Sequence, residues 1–127
     1  MKELLKSIEP LVQEELNRAN AKFPQFASPH EGWAVIKEEV EEAENELENI
    51  KWELEDAWKR IKDELEPIRR IKLVREFAVC LAAEAIQVAA MAQKFVNMHE
   101  SKCGIKGILE DCETCTFCTE GKEKGNE

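Results

Sequence analysis

The sequence predicts an all-α fold, a bundle of about four helices, and three observations carry that prediction. Apolar residues recur every three or four positions over most of the chain, and no alternating Val/Ile/Thr run suggests a strand. Of 127 residues 35% are charged, while only four are Pro and five Gly, a composition that favours helices. The stretch Phe77 to Ala92, FAVCLAAEAIQVAAMA, is apolar everywhere except at Glu84 and Gln87, which marks a soluble helix at the centre of a bundle. It falls short of the roughly 20 residues that cross a bilayer, so no membrane is expected as a partner. The length suits one domain with a modest core: a helical domain over residues 1–102 and a Cys-rich, partly disordered tail over 103–127.

In chain order, Leu4, Leu5, Ile8, Leu11, Val12, Leu16 and Ala19 give an amphipathic helix over residues 2–21. Pro10 places its true start near Glu9, or sets a short turn before it. Lys22 to Glu31 is a loop with Phe23 and Phe26 tucked beneath it, and Ser28 before Pro29 and Glu31 reads as an N-cap. From Trp33 to Glu66 the residues Ile36, Val40, Ala43, Leu47, Ile50, Leu54, Ala57 and Ile61 step by 4 and 3 in turn, a heptad seam on one long helix. Pro67 ends or kinks it. The core helix opens on Arg69, Arg70, Lys72 and Arg75 and runs to about Glu100.

The net charge of −9 argues against nucleic acid as a partner. Residues 31–66 hold 14 acids and 5 bases, and the 13 acids and 13 bases elsewhere cancel. Such a strip is either a solvated helix face or a divalent-cation site. The opening MKELLKSIEP mixes charges where a signal peptide needs an apolar stretch, so a cytoplasmic location is expected.

Glu38, Glu39 and Glu42 form E-E-x-x-E, in which helical spacing lets two carboxylates share one hard cation. Glu84 and Gln87, at i and i+3 on the core helix, share one face, where an unpaired carboxylate is costly. They serve either as part of that cation site or as partners of Arg or Lys across the bundle. The combination of EExxE with a second helix carrying ExxD resembles the MazG-like nucleoside triphosphate pyrophosphohydrolases. The similarity covers roughly Phe23 to Val96, through FPQFASPHEGWAVIKEEVEEAENEL and AAEAIQVAAMAQKF, as in phage and bacterial members. It implies an all-α fold and Mg²⁺ held by Glu39, Glu42 and Glu84, with Gln87 at the family's Asp position. Glu38 would be a ligand or the base that orients the attacking water, and the substrate a nucleoside triphosphate cleaved to pyrophosphate and a monophosphate.

With 41 residues between Glu42 and Glu84, a plain hairpin about Pro67 sets Glu84 opposite Ile50, roughly 12 Å along the axis from Glu42's counterpart. Either the acidic helix breaks near Asn45 or Asn49, or a second subunit completes the site. A homodimer or homotetramer is expected in any case, because the apolar surface exceeds what one chain can cover. Lys94 reaches a phosphate or is an ordinary solvated lysine. His30 and His99 read as surface or capping residues, Cys80 as a small core residue, and Trp33, Trp52 and Trp58 as core or subunit packing, with Trp33 or Phe26 able to stack on a base.

Cys103, Cys112, Cys115 and Cys118 read C-x8-C-x2-C-x2-C. Four thiolates suit Zn²⁺, with unliganded thiols or an iron–sulfur cluster as the alternatives. Taken together, the functional readings are a Mg²⁺-dependent pyrophosphohydrolase, a catalytically impaired relative binding a nucleotide or protein, and a structural coiled-coil module.

Overall fold

The computed structural model describes residues 1–103 as three α-helices: α1 (Lys2–Lys22), α2 (Pro29–Lys62) and α3 (Ile68–Cys103). No strand occurs among the described residues. α1 is one continuous helix with Pro10 inside it, so the expected break at Glu9 is absent; the ring removes one N–H without ending the helix. Ser28 caps α2 as expected: its hydroxyl accepts from the Glu31 N–H at 3.2 Å, and Glu31 Oε2 accepts from the Ala27 N–H at 3.1 Å.

α2 and α3 form a long antiparallel hairpin whose register follows from how α2 ends. The Leu65 N–H donates to Arg60 O and the Glu64 N–H to Ile61 O, with Glu64 left-handed at φ 57°. This is the Schellman arrangement with a glutamate where glycine is usual. It turns the chain sharply at residues 63–65, before Pro67. Arg70 consequently meets Glu53 and Asp56, and Glu84 meets Glu39 and Glu42. The hairpin is centred near residue 62, and the expected opposition of Glu84 and Ile50 is corrected. α2 runs unbroken through Asn45 and Asn49.

The face of α2 turned inward is Gly32, Ile36, Glu39, Ala43, Glu46, Ile50, Glu53 and Ala57, all buried or half-buried. Only half of the predicted heptad seam lies on it. Leu47, Leu54 and Ile61 are exposed, so α2 carries an apolar stripe wider than α3 covers.

The core sits at one end, where α1 joins the hairpin. Leu16, Phe26, Ala90, Met91 and Met98 are buried there, with Val12, Ala19, Val35, Ile36 and Phe95 packed against them. α1 packs on α3. Gly32 is needed at this point: a Cβ would stand 2.5 Å from Phe95 Cδ2 and 3.0 Å from Phe26 Cδ2. Phe26 lies under the loop as expected, but Phe23 is exposed.

Among the described residues the opposite end has only two helices, α2 and α3. Trp52 (73% exposed), Leu54, Trp58, Ile61, Leu65, Ile68, Ile71 and Val79 (58% exposed) all face outward there. The apolar stretch 77–92 is therefore not enclosed: Val79, Cys80, Ala82 and Ala83 are exposed, and only its C-terminal part enters the core. Cys80, expected in the core, is exposed, as is Trp33. No helix among the described residues is long and apolar enough to cross a membrane.

Candidate metal centre

Glu39 and Glu42 stand one turn apart on α2, because i, i+3 spacing sets them on neighbouring ridges, and Glu84 faces them from α3. One carboxylate oxygen from each lies within 4.8 Å of the other two. Bonds of about 2.1 Å to Mg²⁺ hold oxygens roughly 3 to 4 Å apart, so the set needs only a small closure to grip a cation. A single chain brings these three carboxylates together, with no second subunit.

The electrostatics are those of a site short of positive charge. Burial, followed by the charges of Glu42, Glu84, Glu38 and Glu15, pushes the Glu39 carboxyl above its ordinary range. Burial likewise raises Glu84, followed by the charge of Glu42, a carboxyl–carboxyl hydrogen bond to Glu42, and the charge of Glu46. Glu39 Oε2, Glu46 Oε2 and Glu84 Oε2 are buried with no hydrogen-bond partner among the described residues. Such atoms are expensive unless a cation or a proton meets them.

A cavity of about 460 Å³ opens beside the cluster, between α1 and the hairpin, within the range of small-molecule pockets. Glu38, Glu39, Gln87 and Lys94 line it. Glu38 is exposed at its wall and is not one of the three converging carboxylates. Gln87, one turn past Glu84, also faces the cavity. Lys94 is the only buried charged residue among those described, 2% exposed, and this overturns its reading as a solvated lysine. Its Nζ stands 4.9 Å from the centroid of the Phe26 ring, and its backbone carbonyl accepts from Gln25 Nε2 at 3.2 Å.

α1 supplies the far wall through Glu15, Arg18 and Lys22, with Arg18 Nη1 2.8 Å from Glu15 Oε2. These residues carry no motif and lie more than 60 positions before Glu84, so only the packing of α1 reveals them. Glu46 was equally invisible as one glutamate in an acidic run. His30 is exposed. Of the four tail cysteines, Cys103 ends α3, and Cys112, Cys115 and Cys118 lie outside the described residues.

Compared with family profiles, with curated proteins and with solved structures, the chain has no match.

Proposed function

We propose that this protein is a Mg²⁺-dependent nucleoside triphosphate pyrophosphohydrolase of MazG-like type. The observation that carries the reading is the convergence of Glu39, Glu42 and Glu84, three carboxylates from two helices, two of which (Glu39 and Glu84) bury an oxygen with no hydrogen-bond partner among the described residues, beside a ligand-sized cavity that Glu39 lines. Acidic surface helices rarely turn their charge inward against another carboxylate, because the cost is not offset. Glu39, Glu42 and Glu84 would hold the ion, with the neutral oxygen of Gln87 beside them. A bound Mg²⁺ supplies charge neutralisation to the triphosphate. Glu38, exposed at the cavity wall, takes the proton of the attacking water, and the products are pyrophosphate and a nucleoside monophosphate. Two copies pairing through the two-helix end would cover Trp52, Trp58 and Val79 and make a four-helix core from two hairpins, which gives the homo-oligomer a physical reason. A cytoplasmic location, and one Zn²⁺ held by Cys103, Cys112, Cys115 and Cys118, complete the proposal.

The test is Mg²⁺-dependent release of pyrophosphate from a panel of NTPs and dNTPs, expected for wild type and lost on chelation. Gln87 favours a second reading, a catalytically impaired relative that binds a nucleotide or a protein partner, because an amide at that place removes one negative charge from the site. That reading predicts nucleotide binding without pyrophosphate release.

A further inference from the structure

Lys94 sits where a lysine is least comfortable. Nearly all of its surface is buried, no carboxylate or other acceptor among the described residues meets its ammonium, and its charge rests on the Phe26 ring alone. A buried charge without a counter-charge costs several kcal/mol, so its place in a cavity wall points to a ligand that brings the acceptor. Along α3 the positions 84, 87, 91 and 94 follow at helical intervals, and Gln87, Met91 and Lys94 all line the cavity. Glu84 and Lys94 are ten residues apart, about 15 Å along the axis. Helical side chains lean the same way, toward the N-terminus, so that separation is kept at their tips. Lys94 therefore stands at the end of the cavity away from the Glu39, Glu42 and Glu84 cluster, where Phe26, Val35 and Met91 line it together with Glu31, which makes no ion pair with the ammonium. Apolar walls suit a flat ring and not a phosphate.

We infer that this cavity reads the base of a nucleotide through Lys94, and that it selects bases bearing a ring carbonyl (guanine, uracil, thymine, cytosine) over adenine. The inference rests on the nucleotide reading of the preceding subsection, with the phosphates at the metal end. An ammonium has three donors and no acceptor, so it pairs with a carbonyl oxygen, as lysine does with guanine O6. Adenine offers no carbonyl, and its N1 and N7 acceptors each lie beside an amino group that is itself a donor and disfavours an ammonium approaching that edge.

The experiment is a calorimetric titration of the full chain, with Mg²⁺ present, using GMP, UMP and AMP as probes. Wild type is expected to bind GMP and UMP at least about tenfold more tightly than AMP, the worth of one charge-assisted hydrogen bond. In Lys94→Met the two favoured affinities fall by about that factor and the preference vanishes. Without ligand, Lys94→Met melts no lower than wild type, since the ammonium has no anionic partner to lose; a purely structural lysine would give the opposite. Equal binding of AMP by wild type, no binding of any monophosphate, or a preference that survives in Lys94→Met each overturns the inference. The wild-type comparison decides even if the variant fails to fold. Pyrophosphate release with no base preference strikes this inference alone, whereas base-selective binding without pyrophosphate release strikes the hydrolase reading alone.

Discussion

Two layers of the α2–α3 hairpin, 14 residues apart on both helices, present the same pattern on α2 and opposite charges on α3. At the two-helix end Glu53 and Asp56 meet Arg70: Nη1 is 3.2 Å from Glu53 Oε2, and Nε is 2.8 Å from Asp56 Oδ2. The Nε contact is too poorly aligned to count as a hydrogen bond, so it acts by charge alone. Arg60 adds a contact to Asp56 at 3.2 Å. Toward the core Glu39 and Glu42 meet Glu84. The first layer contains its own cation; among the described residues the second contains none and leaves the Glu39 and Glu84 Oε2 atoms without a hydrogen-bond partner. The molecule thus shows what this register looks like when the chain supplies the positive charge, and the carboxylate layer is where the proposed ion would supply it.

The largest expected effect is on catalysis. On the proposed assignment Glu42→Gln removes one ligand charge, and the proposed pyrophosphate release should fall about 10³-fold, since metal charge stabilisation is worth several kcal/mol at about 1.4 per decade. Asp56→Asn, the matching change in the arginine layer, should leave the rate within about twofold. Equal losses at both positions would erase the distinction between the layers.

Next comes the coupling of stability to pH. Glu39 and Glu84 titrate above their ordinary range in the folded, metal-free protein, so the folded state holds these protons more tightly than the unfolded one. Their contribution is therefore fully present below the ordinary carboxylate pKa and is lost as pH rises through the raised values. Metal-free protein should gain stability on going from neutral to mildly acidic pH, and Glu84→Gln should flatten that slope. Mg²⁺ should restore stability at neutral pH while releasing protons. Thermal melts across the pH range check the sign, and a slope unchanged in Glu84→Gln would count against it.

Gln87→Asp adds a charge beside the carboxylate layer. If a cation belongs there, metal affinity and hydrolysis both rise. If the residue only packs, the new charge costs about 1 to 3 kcal/mol or more, and a variant that melts lower and ignores Mg²⁺ would sink the catalytic reading.

The smallest effect concerns the turn that sets both layers in register. Glu64→Gly relieves a left-handed φ of 57° and should stabilise the protein by about 0.5 to 1 kcal/mol, read from denaturant midpoints, with no change in activity.

This same turn explains where the sequence was legible and where it was not. The helices were readable because their apolar periods and the Ser28 cap are local signals. The EExxE set and Glu84 were readable as candidates for the same reason. Their meeting within one chain was not, because it depends on a Schellman turn at Glu64, whose residue gives no sign of left-handed geometry, whereas Pro67 drew the hairpin five residues too late. The heptad seam misled in a related way. Leu47, Leu54 and Ile61 share a period with Ala43, Ile50 and Ala57, and nothing local says which half of a wide stripe faces α3. Burial of Lys94 is likewise a product of α1 and the loop folding over α3.

The most direct test grafts one layer onto the other. Glu84→Arg places in the carboxylate layer the cation that Arg70 supplies in its counterpart, and the melting temperatures of wild type and variant are compared at neutral pH with and without Mg²⁺. A cation site predicts that Mg²⁺ raises the wild-type melting temperature, that the variant melts above metal-free wild type, and that the variant no longer responds to the metal. A wild type indifferent to Mg²⁺, or a variant that still gains from it, would contradict the assignment of Glu39, Glu42 and Glu84 as the site.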